Sequence, residues 1–167
     1  VAAVKIYMDM TTGAMKVEDY DAIKEIFRIF KLTIIHAEDI NIKNAEDIFI
    51  KNRIKNRLHV AHVSSAKELQ YAKNNPIKKQ VSVEVTPHHL FMTDNDLQAL
   101  GAFAEMKPRL KTEQDQKALW HGIHSGIVDI IATDHAPHTK EEKEMANYPF
   151  GVPGLETMLP LLLDAFN

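Results

Sequence analysis

The sequence predicts an α/β fold built on parallel strands, and three observations predict it. Short apolar runs recur with amphipathic helical segments between them. The first three intervals between strand starts, near positions 3, 32, 58 and 81, are each close to the ~30 residues of one strand–helix unit. Ionisable residues stand where apolar runs end, as barrel enzymes place their chemistry at the carboxyl ends of parallel strands. No internal repeat or low-complexity segment interrupts the alternation.

The elements follow in order. "AAVKIYM" (2–8) reads as the first strand, and "VEDYDAIKEIFRIF" (17–30) puts Tyr20, Ile23, Ile26, Phe27 and Phe30 on one helical face. "LTIIH" (32–36) is the second strand, followed by a helix near "AEDIFIKNRI" (45–54) and the strand "LHVAHV" (58–63). "SAKELQYAKN" (65–74) is a helix that opens on a serine cap and stops before Pro76. "VSVEV" (81–85) is the fourth strand, after which Thr93 or Asp94 caps a short helix. "TEQDQKALWHGIHSG" (112–126) has an acidic first turn, which suits a helix N-terminus, and a terminal Gly126. "VDIIAT" (128–133) is the last strand, and "GLETMLPLLLDAF" (154–166) is an apolar helix that Pro160 kinks or cuts short.

Composition excludes several classes. At 167 residues, with 45% apolar and 26% charged content, the chain fits one soluble domain spanning 1–167. A net charge of -3, with no basic cluster to override it, argues against nucleic-acid binding. No apolar run approaches the ~20 residues that span a bilayer, and no signal peptide opens the sequence. The absence of cysteine removes thiolate metal sites and cysteine nucleophiles, and a cytoplasmic location is the simplest expectation. The first residue is Val1 rather than methionine, which is expected of a processed or partial chain. Nine histidines are more than a chain of this size needs.

Four of the ionisable residues carry the functional expectation: Lys5 in the first strand, His36 after "LTII", His62 in "LHVAHV", and Asp134 after "VDIIAT". Each has an ordinary structural explanation when taken alone. A strand-end histidine is commonly a rim residue, a lysine between apolar neighbours snorkels, and an aspartate after a strand turns the chain. Their recurrence at successive strands is what points to one site. Two imidazoles and a carboxylate suit zinc or a similar divalent ion with an open position for water. A desolvated lysine loses its proton more easily, which opens unusual chemistry to its amine.

"ATDHAPHTKEEK" followed by "GVPGLETMLPLLL" resembles the signature region of the dihydroorotases, within the amidohydrolase superfamily. "VKIYMDMTTG", "IIHAED", "HVAHVSS" and "EVTPHHLFMT" resemble further family segments in the expected order, so the resemblance covers essentially the whole chain. It implies a partial TIM (β/α)8 barrel, about strands 4 to 8 with their helices, forming the C-terminal portion of the barrel. It also implies a cyclic amide hydrolase that interconverts dihydroorotate and N-carbamoyl-L-aspartate in pyrimidine biosynthesis, with two zinc ions per complete site.

The resemblance implies roles residue by residue. Lys5 is expected to be carboxylated and to bridge the two zinc ions, His36 and His62 to bind the second, and Asp134 to bind zinc and act as general base and acid. His138 and the backbone around Phe150 and Gly151 are expected against the substrate, and Thr11 and Thr12 in a mobile loop over it. Lys107 stands where the family places a side chain on the substrate. "MKPRLK" departs from the family pattern, however, so Arg109 and Lys111 compete for the substrate carboxylate. His59, His88, His89, His121, His124 and His135 are expected in supporting or surface roles.

The family's His-x-His-x-Arg strand, which brings two zinc ligands and a substrate-clamping arginine, has no counterpart here. The expectation is therefore an incomplete part of the enzyme with little activity by itself. Two other readings stand beside it: a non-catalytic dihydroorotase-like subunit that scaffolds aspartate transcarbamoylase, and a hydantoinase or allantoinase. A homodimer and an aspartate transcarbamoylase partner are the expected associations.

Overall fold

A computed structural model of the chain describes residues 1–11, 13–73 and 76–166. Strands and helices alternate through β1 (Val4–Tyr7), α1 (Tyr20–Ile29), β2 (Leu32–His36), α2 (Ile40–Lys51), β3 (Arg57–Val60), α3 (Ala66–Lys73) and β4 (Val81–Val85). Two short helices follow, α4 (Pro87–Phe91) and α5 (Asp94–Leu100), with a 3-10 turn at Gly101–Ala104. The order closes with α6 (Glu113–His124), β5 (Ile130–Ile131), α7 (Lys140–Lys143) and α8 (Met158–Ala165).

The five strands are all parallel and lie in sequence order. Right-handed crossovers in a sheet wound one way put the connecting helices on one face. The strand residues divide accordingly. Ile6, Ile35, Val60 and Val83 share one register row, and all are buried in a core with Ile23, Phe27, Ile42, Phe49 and Leu119 from the helices. The alternate row, Lys5, Ile34, His59 and Ser82, faces the other way. This is an arc of a (β/α) barrel, with helices outside and a polar inner face. Burial of side chains such as Phe27 and Phe49, at 0% and 1% exposure, stabilises the arc by roughly 2–3 kcal/mol each.

Local chemistry explains the element ends. Asp19 caps α1 by accepting from the N–H groups of Asp21 (2.9 Å) and Ala22 (3.2 Å). Thr112 and Asp115 form a capping box on α6. Thr93, rather than Asp94, takes the cap position of α5, and its N–H donates to Asp96 at 2.7 Å.

Five elements differ from the sequence expectation. α2 starts at Ile40 rather than near 45, because Ile42 and Ala45 complete its buried face. "PHHLF" forms α4, with Pro87 pre-set for the first helical position. "KEEK" forms α7, capped by Thr139. Pro160 neither kinks nor ends α8; it lies in the first turn, where its missing N–H costs no helical bond. β5 is a short pair, although Asp129 N–H and Ala132 N–H extend its ladder to the carbonyls of Val83 (2.9 Å) and Val85 (3.0 Å). No described helix is long and apolar enough to cross a membrane.

Candidate active site

Lys5, His36, His62 and Asp134 all line one pocket at the carboxyl end of the sheet, together with Tyr7 and His88. Pairing of β1 with β2 sets Tyr7 beside His36, with ring centroids 5.5 Å apart, and the Lys5 ammonium lies 5.4 Å from the Tyr7 ring. His36 closes β2, and His62 lies two residues past β3. Their rings meet edge-on, with Nδ1 of His36 2.8 Å from Nε2 of His62.

His62 and Asp134 have positive φ, 40° and 43°, a region that costs a non-glycine residue about 1–3 kcal/mol. Neighbouring bonds hold His62 in that conformation. Its N–H donates to Oε1 of Glu84 (3.1 Å), while Ala61 N–H and Val63 N–H donate to the carbonyls of Ile35 (3.1 Å) and Glu84 (2.8 Å). Oε2 of Glu84 meets His59 Nε2 at 3.0 Å, and the other ring nitrogen of His59 meets Ser82 Oγ at 2.9 Å. His59 and Glu84 thus form the inner wall beneath the site.

Burial decides the charge states. It pushes the His62 imidazole well below its usual range, helped by the neighbouring His36 and Lys5. Burial lowers His36 too, against the opposing pull of Glu38. Both rings are therefore neutral near pH 7, the form that binds a metal. Burial raises the Asp134 carboxyl, with Lys5 and His36 pulling it down and Glu84 pushing it up.

The donor set fits a divalent ion in part. Nε2 of His36 and Nδ1 of His62 are buried without a hydrogen-bond partner, so four ring nitrogens share a single bond. Two neutral imidazoles whose facing nitrogens have only each other suit an ion that takes a lone pair from each. Among the described residues, no three His, Asp or Glu side chains close on a common point as a full ligand group would. This chain therefore offers a two-imidazole half-site, with Lys5 and Asp134 facing the same pocket.

The opposite wall comes from Thr11, Met106, Lys107, Ala136, Phe150, Gly151 and Val152. The Lys107 ammonium lies 5.1 Å from the Phe150 ring. Arg109 and Lys111 are engaged elsewhere, with Glu105 (3.1 Å) and Glu38 (3.4 Å), so of the three competing cations Lys107 lines the pocket. His138 does not line it; its Nε2 donates to the Phe150 carbonyl at 3.1 Å and so supports the wall from behind. Thr12 lies outside the described residues.

Gly151 has φ +125°, and a Cβ there would fall 2.6 Å from Ala136 Cβ and 2.9 Å from Ala136 O. Strain and clash combine, so Gly151→Ala is expected to cost about 2–3 kcal/mol. A denaturant melt checks this, and a variant within 0.5 kcal/mol of wild type would contradict the wall geometry (roughly the scatter of neutral substitutions).

Three of the remaining histidines have structural hydrogen-bond partners. Nδ1 of His135 accepts from Gly154 N–H at 3.0 Å. His89 is bonded to Thr86 Oγ1 and the Pro108 carbonyl, and His124 to the Trp120 carbonyl. His121 is exposed on α6. His88 and Tyr7 line the pocket although the sequence did not single them out for it. A signal for Tyr7 was present, since it lies two residues after Lys5 and shares its face of the strand.

No family model matches the chain. It is 46% identical over 135 residues to a dihydroorotase of Anoxybacillus flavithermus, covering 78% of this chain and 31% of that protein. It is 36% identical over 171 residues to the multifunctional protein CAD of Squalus acanthias, covering 99% of this chain and 7% of that protein. The chain belongs to the dihydroorotase family. A crystal structure of D-hydantoinase superposes with a TM-score of 0.87 at 18% identity, covering 98% of this chain and 45% of that one, which establishes the shared fold. This dihydroorotase-family chain spans less than half the length of these relatives.

Proposed function

We propose that the protein carrying this chain is a metal-dependent cyclic amide hydrolase that opens dihydroorotate to N-carbamoyl-L-aspartate and closes it again. One observation carries the reading: Lys5 within β1, His36 at the end of β2, and His62 and Asp134 in the turns after β3 and β5 line a single pocket. His36 and His62 would hold a zinc ion, with carboxylated Lys5 and Asp134 as further ligands. Such an ion, one of two in the complete site, would supply a hydroxide near neutral pH and polarise the amide carbonyl.

The chain's own residues supply the rest. As water oxygen bonds to the ring carbonyl carbon, Asp134 accepts the water's proton. It returns that proton to the ring nitrogen as the C–N bond breaks. The Lys107 ammonium, over Phe150 at the pocket wall, pairs with the substrate carboxylate. Thr11, Phe150 and Gly151 bound the ring, and His138 fixes Phe150 through its carbonyl.

The filled positions support a catalytic protein over a scaffold that only binds aspartate transcarbamoylase. Ring opening of dihydroorotate by the whole zinc-loaded protein, followed in ultraviolet absorbance beside hydantoin and allantoin, tests the reading. Turnover of dihydroorotate well above the other two is expected. Preference for hydantoin or allantoin, or no turnover of any ring, would overturn it.

A further inference from the structure

We propose that Glu68 is a positioning residue that holds His36 and His62 face to face by tying the loop that follows His36 to the loop that carries His62. The geometry stands by itself; only the use made of the imidazole pair rests on the functional reading above.

Glu68 lies in the first turn of α3 and is 1% exposed. Its Oε2 accepts from Ser64 N–H (2.7 Å), Ser64 Oγ (3.1 Å) and Ser65 N–H (3.1 Å). Its Oε1 accepts from Asp39 N–H at 3.1 Å. Ser64 follows His62 by two positions, and Asp39 follows His36 by three. One carboxylate therefore grips both loops just past their imidazoles. The last backbone bond between the two strands, Ala61 N–H to Ile35 O, lies before either imidazole loop.

Helix capping explains only half of this arrangement. Ser65 Oγ accepts from Glu68 N–H at 3.3 Å, and the Oε2 contacts complete a Ser-x-x-Glu box. The Oε1 bond to Asp39 adds nothing to that cap, because Asp39 belongs to the preceding loop. Asp39 is also held at φ 45°, a strained conformation in the loop that its N–H bond to Glu68 anchors. Asp96 and Glu142 cap their own helices without being buried. A carboxylate needed only as a cap has no reason to accept the desolvation that Glu68 bears, which raises its pKa despite its bonds.

Glu68→Gln separates the two roles. The amide oxygen can keep the Ser64 and Ser65 donors, and glutamine serves a capping box as well as glutamate does. The amide NH2 then meets the Asp39 N–H, donor against donor, and the link between the loops is lost. Two readouts on the whole protein decide. Co2+ titrated into the metal-free protein should bind the variant about tenfold more weakly or worse, as removal of a group supporting metal ligands does. The 15N imidazole spectrum of the metal-free variant should lose the signature of the His36–His62 hydrogen bond, while a cooperative melt shows the fold retained.

Unchanged Co2+ affinity and an unchanged imidazole spectrum would overturn the proposal. So would collapse of the variant, because three of the four bonds survive the change. If wild type binds no Co2+, the metal reading fails and the imidazole spectrum still tests Glu68.

Discussion

Asp134→Asn is expected to lower dihydroorotate turnover by about 10²–10⁴-fold, the usual loss when a positioned proton carrier is removed. The substitution is a clean probe for a backbone reason. Asp134 sits at φ 43°, and asparagine tolerates that region as readily as aspartate, so the turn survives. The amide is isosteric but cannot take a proton from water and pass it to nitrogen. Initial rates beside a thermal melt separate the chemistry from the fold. Turnover at the wild-type level in a folded variant would remove Asp134 from its assigned role.

The second large effect is on stability and involves Lys143, which is 5% exposed. Its ammonium donates to the carbonyls of Ala102 (2.9 Å), Glu105 (3.2 Å) and Pro149 (2.9 Å). Those carbonyls belong to the two segments that lead into Met106–Lys107 and Phe150–Gly151, so one cation staples the substrate wall together. Burial lowers the Lys143 pKa while Glu105 opposes it, as expected of an amine that its carbonyl partners must keep in place. Lys143→Met keeps the length of the side chain but loses three charge-assisted bonds. The Ala102 and Glu105 carbonyls keep the N–H groups of Glu105 and Gly151, while the Pro149 carbonyl loses its donor, at a cost of roughly 3 kcal/mol. For a chain of this size that is a fall in Tm of about 10 °C. A melt within 2 °C of wild type (about the shift expected for well under 1 kcal/mol) would contradict the staple.

The arc and the site were legible in the sequence to different depths. Strand–helix alternation and the one-sided apolar faces announced the parallel sheet, because Phe27 and Phe49 can be buried only against its strands. Lys5, His36, His62 and Asp134 were visible because period-two alternation and strand ends confine where such residues can point. Residues whose roles depend on contacts across the fold were not. Glu84 reads as an ordinary strand carboxylate until the turn at His62 presents an N–H to it. Glu68 reads as a cap until Asp39 is folded onto it. The choice among Lys107, Arg109 and Lys111 needed the ion pairs that occupy the latter two. Short helices such as α4 and α7 are too brief for a periodic signal and show only in their caps.

Anomalous diffraction at the zinc edge, from crystals of the whole zinc-loaded protein, tests the central claim most directly. The account predicts a zinc peak bonded to Nδ1 of His36 and Nε2 of His62, at about 2.0–2.1 Å from each. Zinc-loaded crystals in which the two imidazoles still hydrogen-bond directly to each other, with no peak beside them, would contradict it.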